Sequence, residues 1–309
     1  MVPSRIYVPT AVDTIVEGAH MADERESRNQ VFSGAPKDVD PRIKSMSQAE
    51  AVKAEFGLDI PVEIVPLPSA GKVYPVDHPL CNQDTVEIRA MTAREEDILT
   101  SRALLKKGTV ITELIRSCLT DQRIDPVDML TGDRNALMVA IRVTGYGSDY
   151  DAEVTCGECD VKASHQFDLL TLPIRRMSIE PVQPGLNLFE FKLPRSQKVI
   201  RFKFLTGRDE EMMMATQEKQ KKLGMNSDNS VTTSLLYSIV AIDGIEDRNK
   251  IAAFIRSMLA MDSKALREYI RDNEPGIIMK QETECPSCKA KEEITMPIGV
   301  TFLWPSASR

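Results

Sequence analysis

The sequence has few of the residues, and none of the short motifs, from which common catalytic sites are built. It contains three histidines, His20, His78 and His165, and none belongs to a His-x-x-x-His or Glu-x-x-His pair. It also lacks a glycine-rich phosphate loop and a Gly-x-Ser-x-Gly nucleophile elbow. The sequence therefore predicts a protein that is not an enzyme and that takes no small-molecule substrate.

Clustered positive charge and long apolar runs are missing as well. The formal net charge is −7, and no block of lysines and arginines is interleaved with aromatics, so nucleic acid is disfavoured as a partner. No run of about 18 apolar residues occurs, and residues 1–18 lack the basic start and apolar centre of a signal peptide. We expect no membrane span, and a reducing cytosol as the compartment.

Four of the six cysteines form two Cys-x-x-Cys turns, Cys156 with Cys159 (knuckle 1) and Cys285 with Cys288 (knuckle 2). Strand-type residues flank the turns. A structural Zn²⁺ takes four ligands in a tetrahedron, so each knuckle supplies half of a site. Together they predict one structural Zn²⁺ held by four thiolates, which leaves no position for a catalytic water.

Other roles for these side chains remain open. The cysteines could form disulfides or stay unrelated thiols, although paired Cys-x-x-Cys turns in an intracellular chain favour a metal. A thioredoxin-like redox role fits less well, because neither knuckle follows a strand and opens an apolar helix. His165 is either a substitute ligand or a plain strand residue. Cys81 and Cys118 lie outside the knuckles, and Cys118 is predicted to be a small core residue.

The chain, with 42% hydrophobic residues, can form a sizeable core, and its composition divides it into four segments. Residues 1–48 read as a flexible, extended N-terminal arm available for ordering on a partner. Residues 49–84 read as a short helix followed by an extended Pro-rich segment. Residues 85–170 form a first α+β repeat that ends in knuckle 1, and residues 171–309 form a second one with a hairpin and knuckle 2.

The hydrophobic periodicity places helices and strands within the repeats. Thr92 and Glu95 form a capping box that opens a helix. A β-hairpin is predicted over residues 186–204, around Pro194 to Gln197. The predicted helices cover about 93–105, 109–120, 131–143, 206–223, 231–242, 247–259 and 262–272.

Matching residues at ordered offsets indicate that the two repeats are copies. Met91–Glu96 matches Leu205–Glu210 at an offset of 114. Further matches follow at an offset of 121 and then 129, and the cysteines continue at 129. They are Thr112, Leu114 and Ser117 with Thr233, Leu235 and Ser238, then Asp133, Ala136, Leu137, Ile141 and Arg142 with Asp262, Ala265, Leu266, Ile270 and Arg271. The predicted fold is α+β, with internally duplicated hairpin-plus-helices units joined by a zinc-ribbon-like pair of Cys-x-x-Cys knuckles.

Other polar and apolar clusters have simple structural interpretations. Glu95-Glu96 and Glu210-Glu211 lie in first turns of helices, where negative charge suits the helix dipole. Asp133-Arg134-Asn135 is interpreted as a cap with first-turn polar residues. Met212-Met213-Met214 is either an adaptable binding surface or core at helical spacing.

A chain of short motifs before knuckle 1 resembles a known family. The motifs are Leu67-Pro68-Ser69-x-Gly71-Lys72-x-Tyr74-Pro75, Met91-Thr92-Ala93-Arg94-Glu95-Glu96-Asp97-Ile98-Leu99, Gly132-Asp133-Arg134-Asn135-Ala136-Leu137, Ile141-Arg142, Gly145-Tyr146-Gly147-x-x-Tyr150 and Cys156-x-x-Cys159. Over about residues 66–170 the chain resembles the T4-type bacteriophage baseplate protein family, the hub subunits and hub-assembly factors of contractile tails. The second half departs from the motifs but keeps the helix starts and knuckle 2.

The resemblance implies a non-enzymatic structural or assembly protein of a phage tail baseplate. Its partners would be other tail and baseplate proteins, and it would be found in the virion or in the host cytoplasm during assembly. The alternative from the residues alone is a zinc-ribbon factor associated with nucleic acid, which the net charge of −7 disfavours. A metallohydrolase would need a metal that carries water, which four cysteines leave no room for.

Overall fold

The computed structural model describes residues 55–57, 59–222, 229–296 and 298–303. The chain divides into two units, and residues from Val62 onward belong to the larger one. The arm predicted over residues 1–48 and most of the short helix predicted next to it lie outside the described residues. The larger unit combines helices and strands, which confirms the α+β prediction.

Short antiparallel hairpins alternate with helices along this unit. The strands are β1 (Val62–Pro66), β2 (Thr85–Arg89), β3 (Asp149–Thr155), β4 (Lys162–Asp168), β5 (Ile174–Arg175), β6 (Phe189–Lys192), β7 (Val199–Phe202), β8 (Ile239–Ile242), β9 (Gly276–Ile277), β10 (Lys280–Glu284) and β11 (Lys291–Thr295). The helices are α1 (Ala93–Thr100), α2 (Arg102–Lys107), α3 (Val110–Cys118), α4 (Thr131–Tyr146), α5 (Gly207–Lys222), α6 (Ser230–Ser238), α7 (Arg248–Ser257) and α8 (Ala260–Asn273).

The strands form small sheets rather than one large sheet. Within the described residues, β1 pairs with β2, β3 with β4, β5 with β9 and β10 with β11, while β6, β7 and β8 form a three-stranded sheet in that order. Every pairing is antiparallel. No described helix combines the length and the apolar character needed to cross a bilayer.

Three predicted elements differ from the structure. The helix predicted over 93–105 divides at Ser101 into α1 and α2. The segment between Pro61 and Tyr74, predicted to lie extended across a surface, is extended only over strand β1 (Val62–Pro66). The residues after β1 turn into the core instead. The helix predicted over 231–242 ends at Ser238, and Ile239–Ile242 continues as strand β8. Three β-branched residues out of four favour a strand there, and Ile239 and Ile242 are buried where the strand pairs with β7.

The capping box at Thr92 is confirmed and also anchors the first half. The Thr92 amide donates to the Glu95 carboxylate at 2.9 Å, and Arg89 on β2 donates to the same carboxylate at 2.6 Å. Glu95 is fully buried. Burial alone would raise the pKa of Glu95, but hydrogen bonds from Arg89, Ser117 and Thr92 outweigh burial and lower that pKa to about 2. One carboxylate therefore ties β2, α1 and α3 together.

Residues 174–177 connect the first half of the unit (residues 62–170) to the β6–β7 hairpin of the second half, and they bind both halves. In the first half, the Met177 amide donates to the Pro68 carbonyl at 3.3 Å. In the second half, β5 pairs with β9, and the Arg175 guanidinium donates to the Glu274 carbonyl at 2.7 Å. This connection therefore fastens the two halves to each other along its length.

We predict that truncating either helix-core leucine will strongly destabilise the fold. Leu137 on α4 and Leu266 on α8 are both fully buried. Leu137→Ala and Leu266→Ala should each lower the free energy of unfolding by about 2–5 kcal/mol, because each leaves a cavity. Urea denaturation measures the loss. The exposed Leu170 offers a control, and Leu170→Ala should change stability by less than about 0.5 kcal/mol. A buried-leucine variant as stable as wild type would contradict the prediction.

Candidate metal centre

Knuckle 1 is the tight turn of the β3–β4 hairpin. The Cys156 amide donates to the Val161 carbonyl at 3.0 Å, and the Asp160 amide donates to the Cys156 carbonyl at 3.0 Å. Asp160 has a φ of +56°, in the left-handed region that Asp and Asn tolerate better than most residues. The backbone of the turn thus fixes both cysteines of knuckle 1 relative to the hairpin.

Knuckle 2 repeats this geometry at the tip of the β10–β11 hairpin. The Cys285 amide donates to the Ala290 carbonyl at 2.9 Å, and the Lys289 amide donates to the Cys285 carbonyl at 3.0 Å. Lys289 has a φ of +61°. Each of these residues lies 129 positions after its counterpart in knuckle 1. The two knuckles are therefore the same local structure.

The four thiols of the knuckles converge. One sulfur atom from each of Cys156, Cys159, Cys285 and Cys288 lies within 4.8 Å of every other. Across the knuckles, Cys156 Sγ is 3.6 Å from Cys288 Sγ, and Cys159 Sγ is 3.7 Å from Cys285 Sγ. Zn–S bonds of about 2.3 Å in a tetrahedron separate the sulfurs by about 3.8 Å. The donor set and its spacing fit a tetrahedral thiolate metal site.

Charge on the sulfurs explains why a cation suits this cluster. Amides of Cys288 and Ser287, with the thiols of Cys159 and Cys288, lower the pKa of Cys285 to about 7 against the effect of burial. Amides also donate to Cys156, but desolvation and the neighbouring thiols raise its pKa to about 12. One thiolate therefore opposes ionisation of the next. A divalent cation removes this opposition and lets all four sulfurs bind as thiolates.

The other candidate residues lie outside this set. His165, on β4, lines a small crevice beside Cys156 and Cys285 but is not among the four grouped ligands. Cys118 on α3 is fully buried, and burial raises its pKa to about 12, which confirms the prediction of a core residue. Cys81 lies in the loop between β1 and β2. Among the described residues, the four knuckle cysteines are the one group that could hold a metal ion.

A second buried polar site was missed by the sequence analysis. Asp133 on α4 is fully buried, and its carboxylate accepts the Ser69 amide at 2.9 Å, the Ser69 hydroxyl at 2.6 Å and the Tyr74 hydroxyl at 2.7 Å. The Tyr74 oxygen in turn accepts the Leu130 amide at 3.0 Å. The interpretation of Asp133 as a cap was therefore wrong. Its partners all belong to the motif Leu67–Pro75, and that motif was the available signal.

Asp262 on α8 holds the second half in the same way. Its two carboxylate oxygens accept the amides of Arg195 at 2.7 Å and Ser196 at 3.0 Å. Those amides lie in the turn between β6 and β7, as Ser69 lies between β1 and β2. In each half a buried aspartate near the start of a helix therefore fixes the loop of a hairpin.

Arg134 lies where the halves meet, and it is buried rather than exposed at a helix start. Its guanidinium donates to the Pro126 carbonyl at 2.7 Å and to the Thr112 hydroxyl at 3.2 Å, and it lies 3.5 Å from the Glu210 carboxylate. Burial lowers the pKa of Arg134, and burial also raises the pKa of Glu210. Thr112 donates to Glu211 at 2.5 Å. These groups join α3 and α4 to the start of α5.

Comparison with known proteins identifies one family. A family model described as T4 bacteriophage base plate protein matches residues 62–304. Searches of curated proteins and of solved structures found no match. The matched range extends well beyond the motifs before knuckle 1 and includes the second half with knuckle 2.

We predict that the Asp133 carboxylate is essential for stability. Asp133→Ala removes the acceptor of three hydrogen bonds and leaves the Ser69 amide and the Tyr74 hydroxyl unpaired, so the free energy of unfolding should fall by about 3 kcal/mol. Urea denaturation measures the change. Asp128→Ala is the control, because Asp128 is an exposed partner of Arg208 and its loss should cost less than about 1 kcal/mol. Equal losses for the two variants would contradict the prediction.

Proposed function

We propose that this chain, which belongs to the T4 bacteriophage base plate protein family, is a non-enzymatic component of a contractile phage tail. It would act as a subunit of the baseplate hub or as a factor that assembles the hub. The family match carries the proposal, because residues 62–304 include both halves of the fold and all four knuckle cysteines. Other tail proteins are its partners, in the virion or in the host cytoplasm during assembly.

We further propose that Cys156, Cys159, Cys285 and Cys288 bind one structural Zn²⁺. Sulfur spacings of 3.6 and 3.7 Å across the knuckles support a tetrahedral site, and the mutual opposition of the thiols to ionisation supports a cation. The ion supplies positive charge and four bonds, and no reaction is assigned to it. The chain's own residues supply the hairpins that present the ligands and the amides that bind the sulfurs.

The two halves are proposed to be copies of one ancestral unit. Equivalent carboxylates support this: Asp133 and Asp262 each bind the loop of the hairpin in their own half. The ion pair between Arg89 and the buried Glu95 recurs as Lys203 with the buried Asp209 at 2.8 Å. The copies have diverged elsewhere. Arg142 is buried and donates to the Gly147 and Asp149 carbonyls, whereas its counterpart Arg271 is exposed beside Asp272.

We place a docking surface for another tail protein on α2 and the adjoining side of α5. No residue of α2 is buried, although the helix carries two leucines, and a six-residue helix is unstable without packing. Leu105 is exposed, and so is Met214, whose side chain lies beside Gly108 after α2. Lys106 and Lys107 are exposed at the same end. Apolar side chains beside a pair of lysines suit an acidic segment with apolar residues from another baseplate protein.

The zinc proposal predicts one Zn²⁺ per chain. Protein purified without chelator should contain about one equivalent by elemental analysis, since four thiolates complete one structural site. Cys285→Ser should remove most of the metal, while Cys118→Ala should retain it because Cys118 lies in the core. Wild-type protein without zinc, or Cys285→Ser with unchanged zinc, would contradict the proposal.

The tail proposal predicts co-purification with baseplate proteins. A tagged copy of the chain expressed in infected cells should bring down baseplate proteins that mass spectrometry can identify. Its presence in purified tails would indicate a hub subunit, whereas its presence in precursors alone would indicate an assembly factor. Capture of no tail protein from either fraction would count against the function.

The docking surface has its own test in the same cells. Changing Leu105→Asp together with Lys106→Glu should lower the yield of captured baseplate proteins about tenfold or more, because it removes apolar contact and reverses charge. The fold should stay intact, since both side chains are exposed. Val76→Asp is the control, because Val76 is exposed on the loop between β1 and β2. Unchanged capture by the Leu105 and Lys106 double variant would place docking elsewhere.

A further inference from the structure

The two knuckles share their backbone geometry but differ in several side chains, and two of the differing pairs affect the contact between the knuckles. Knuckle 1 has Gly157 after its first cysteine where knuckle 2 has Pro286. On the strand that leaves the turn, β4 has Ala163 where β11 has Glu292. The backbone hydrogen bonds of the turn are the same at an offset of 129, with Cys156, Asp160 and Val161 corresponding to Cys285, Lys289 and Ala290. The site is therefore symmetric in its ligands and asymmetric in these two pairs.

The Glu292 side chain of knuckle 2 reaches across to knuckle 1. Its carboxylate Oε1 accepts the Gly157 amide at 2.8 Å, so a side chain of knuckle 2 binds the backbone of knuckle 1. The same oxygen lies 3.6 Å from Cys156 Sγ. A carboxylate so close to a metal-bound thiolate is repelled unless a donor compensates, and the Gly157 amide is such a donor.

Pro286 and Ala163, the equivalents of Gly157 and Glu292, cannot form the reciprocal contact. Proline has no amide hydrogen, so Pro286 offers no donor to a side chain from knuckle 1. Alanine at 163 has no acceptor that would need one. Gly157 thus supplies a donor where Glu292 supplies an acceptor, and Pro286 lacks a donor where Ala163 lacks an acceptor. Pairing a knuckle with a copy of itself would leave either the glutamate or the glycine amide without this partner.

We propose that Glu292 is a positioning residue of the metal site, and that its bond to Gly157 fixes which knuckle faces which. This inference rests on the proposed joint zinc site of the two knuckles. The carboxylate holds Cys156 and its turn against Cys285 and Cys288 before and after the ion binds. It contributes no metal ligand in this arrangement, because four sulfurs complete the tetrahedron.

A double-mutant cycle on the full chain tests the coupling between Glu292 and Gly157. The measured quantity is the rate at which zinc passes from the protein to an excess of a coloured chelator. Glu292→Ala should release zinc about fivefold faster than wild type, a modest effect for a residue that supports a metal ligand, because Gly157 is exposed. Glu292→Gln keeps an oxygen acceptor and should stay within about twofold. Gly157→Pro should release zinc about tenfold faster, since the carboxylate loses the hydrogen bond from the Gly157 amide. Adding Glu292→Ala to Gly157→Pro should slow release again.

Glu293→Ala is the matched control, because Glu293 neighbours Glu292 on β11 and pairs with Lys280 on the outer face. It should release zinc at the wild-type rate. Independent effects, with the double variant faster than either single one, would overturn the inference, and so would Glu292→Gln as fast as Glu292→Ala. Wild-type protein without zinc would instead overturn the metal proposal, and the same cycle read on thermal unfolding midpoints would then decide whether the pair is coupled.

Discussion

Negative charge on sulfur is the constraint on which the arrangement of the knuckles depends. Two hairpin tips bring four thiols within 4.8 Å, although the tips lie 129 positions apart in the chain. The thiols oppose one another's ionisation, as the raised pKa of Cys156 beside the lowered pKa of Cys285 indicates. Four thiols this close together are stable either as protonated thiols or as thiolates bound to a cation, and the sulfur spacing fits the bound cation. The metal would thus join the ends of two hairpins that no strand pairing connects among the described residues.

The halves also contact each other away from the knuckles. A Cβ atom at Gly132 would lie 1.7 Å from the Pro275 carbonyl oxygen, so the start of α4 meets the chain after α8 where only glycine fits. The Thr131 amide donates to the Leu205 carbonyl at 2.9 Å, and the Arg134 guanidinium lies 3.5 Å from the Glu210 carboxylate in the same region. These contacts need no metal. Removal of the metal should therefore loosen the knuckles, while the contacts between the halves remain.

Local signals made much of this structure predictable. The paired Cys-x-x-Cys turns, the capping box at Thr92 and the hairpin around Pro194 are short patterns with one physical meaning each, and the structure has the turns, the box and the hairpin where they were expected. Strand β8 was missed because its apolar residues continue the helical pattern of α6. Only the pairing with β7 makes a strand more favourable than a longer helix there. Asp133 and Glu292 were missed for a similar reason, because their partners are 64 and 135 positions away.

The positions at which the halves differ also follow a physical rule. At an offset of 129, Gly132 corresponds to Met261 and Arg134 to Ser263. Gly132 is pressed against Pro275, whereas Met261 is 63% exposed. One helix start is thus covered by the other half while its counterpart faces outward. If the halves are copies, a contact of this kind cannot be satisfied by two identical sequences, because the same position must be small and buried in one copy and is unconstrained in the other. Gly157 and Glu292 extend that rule to the metal centre, where four identical ligands alone would not distinguish one knuckle from the other.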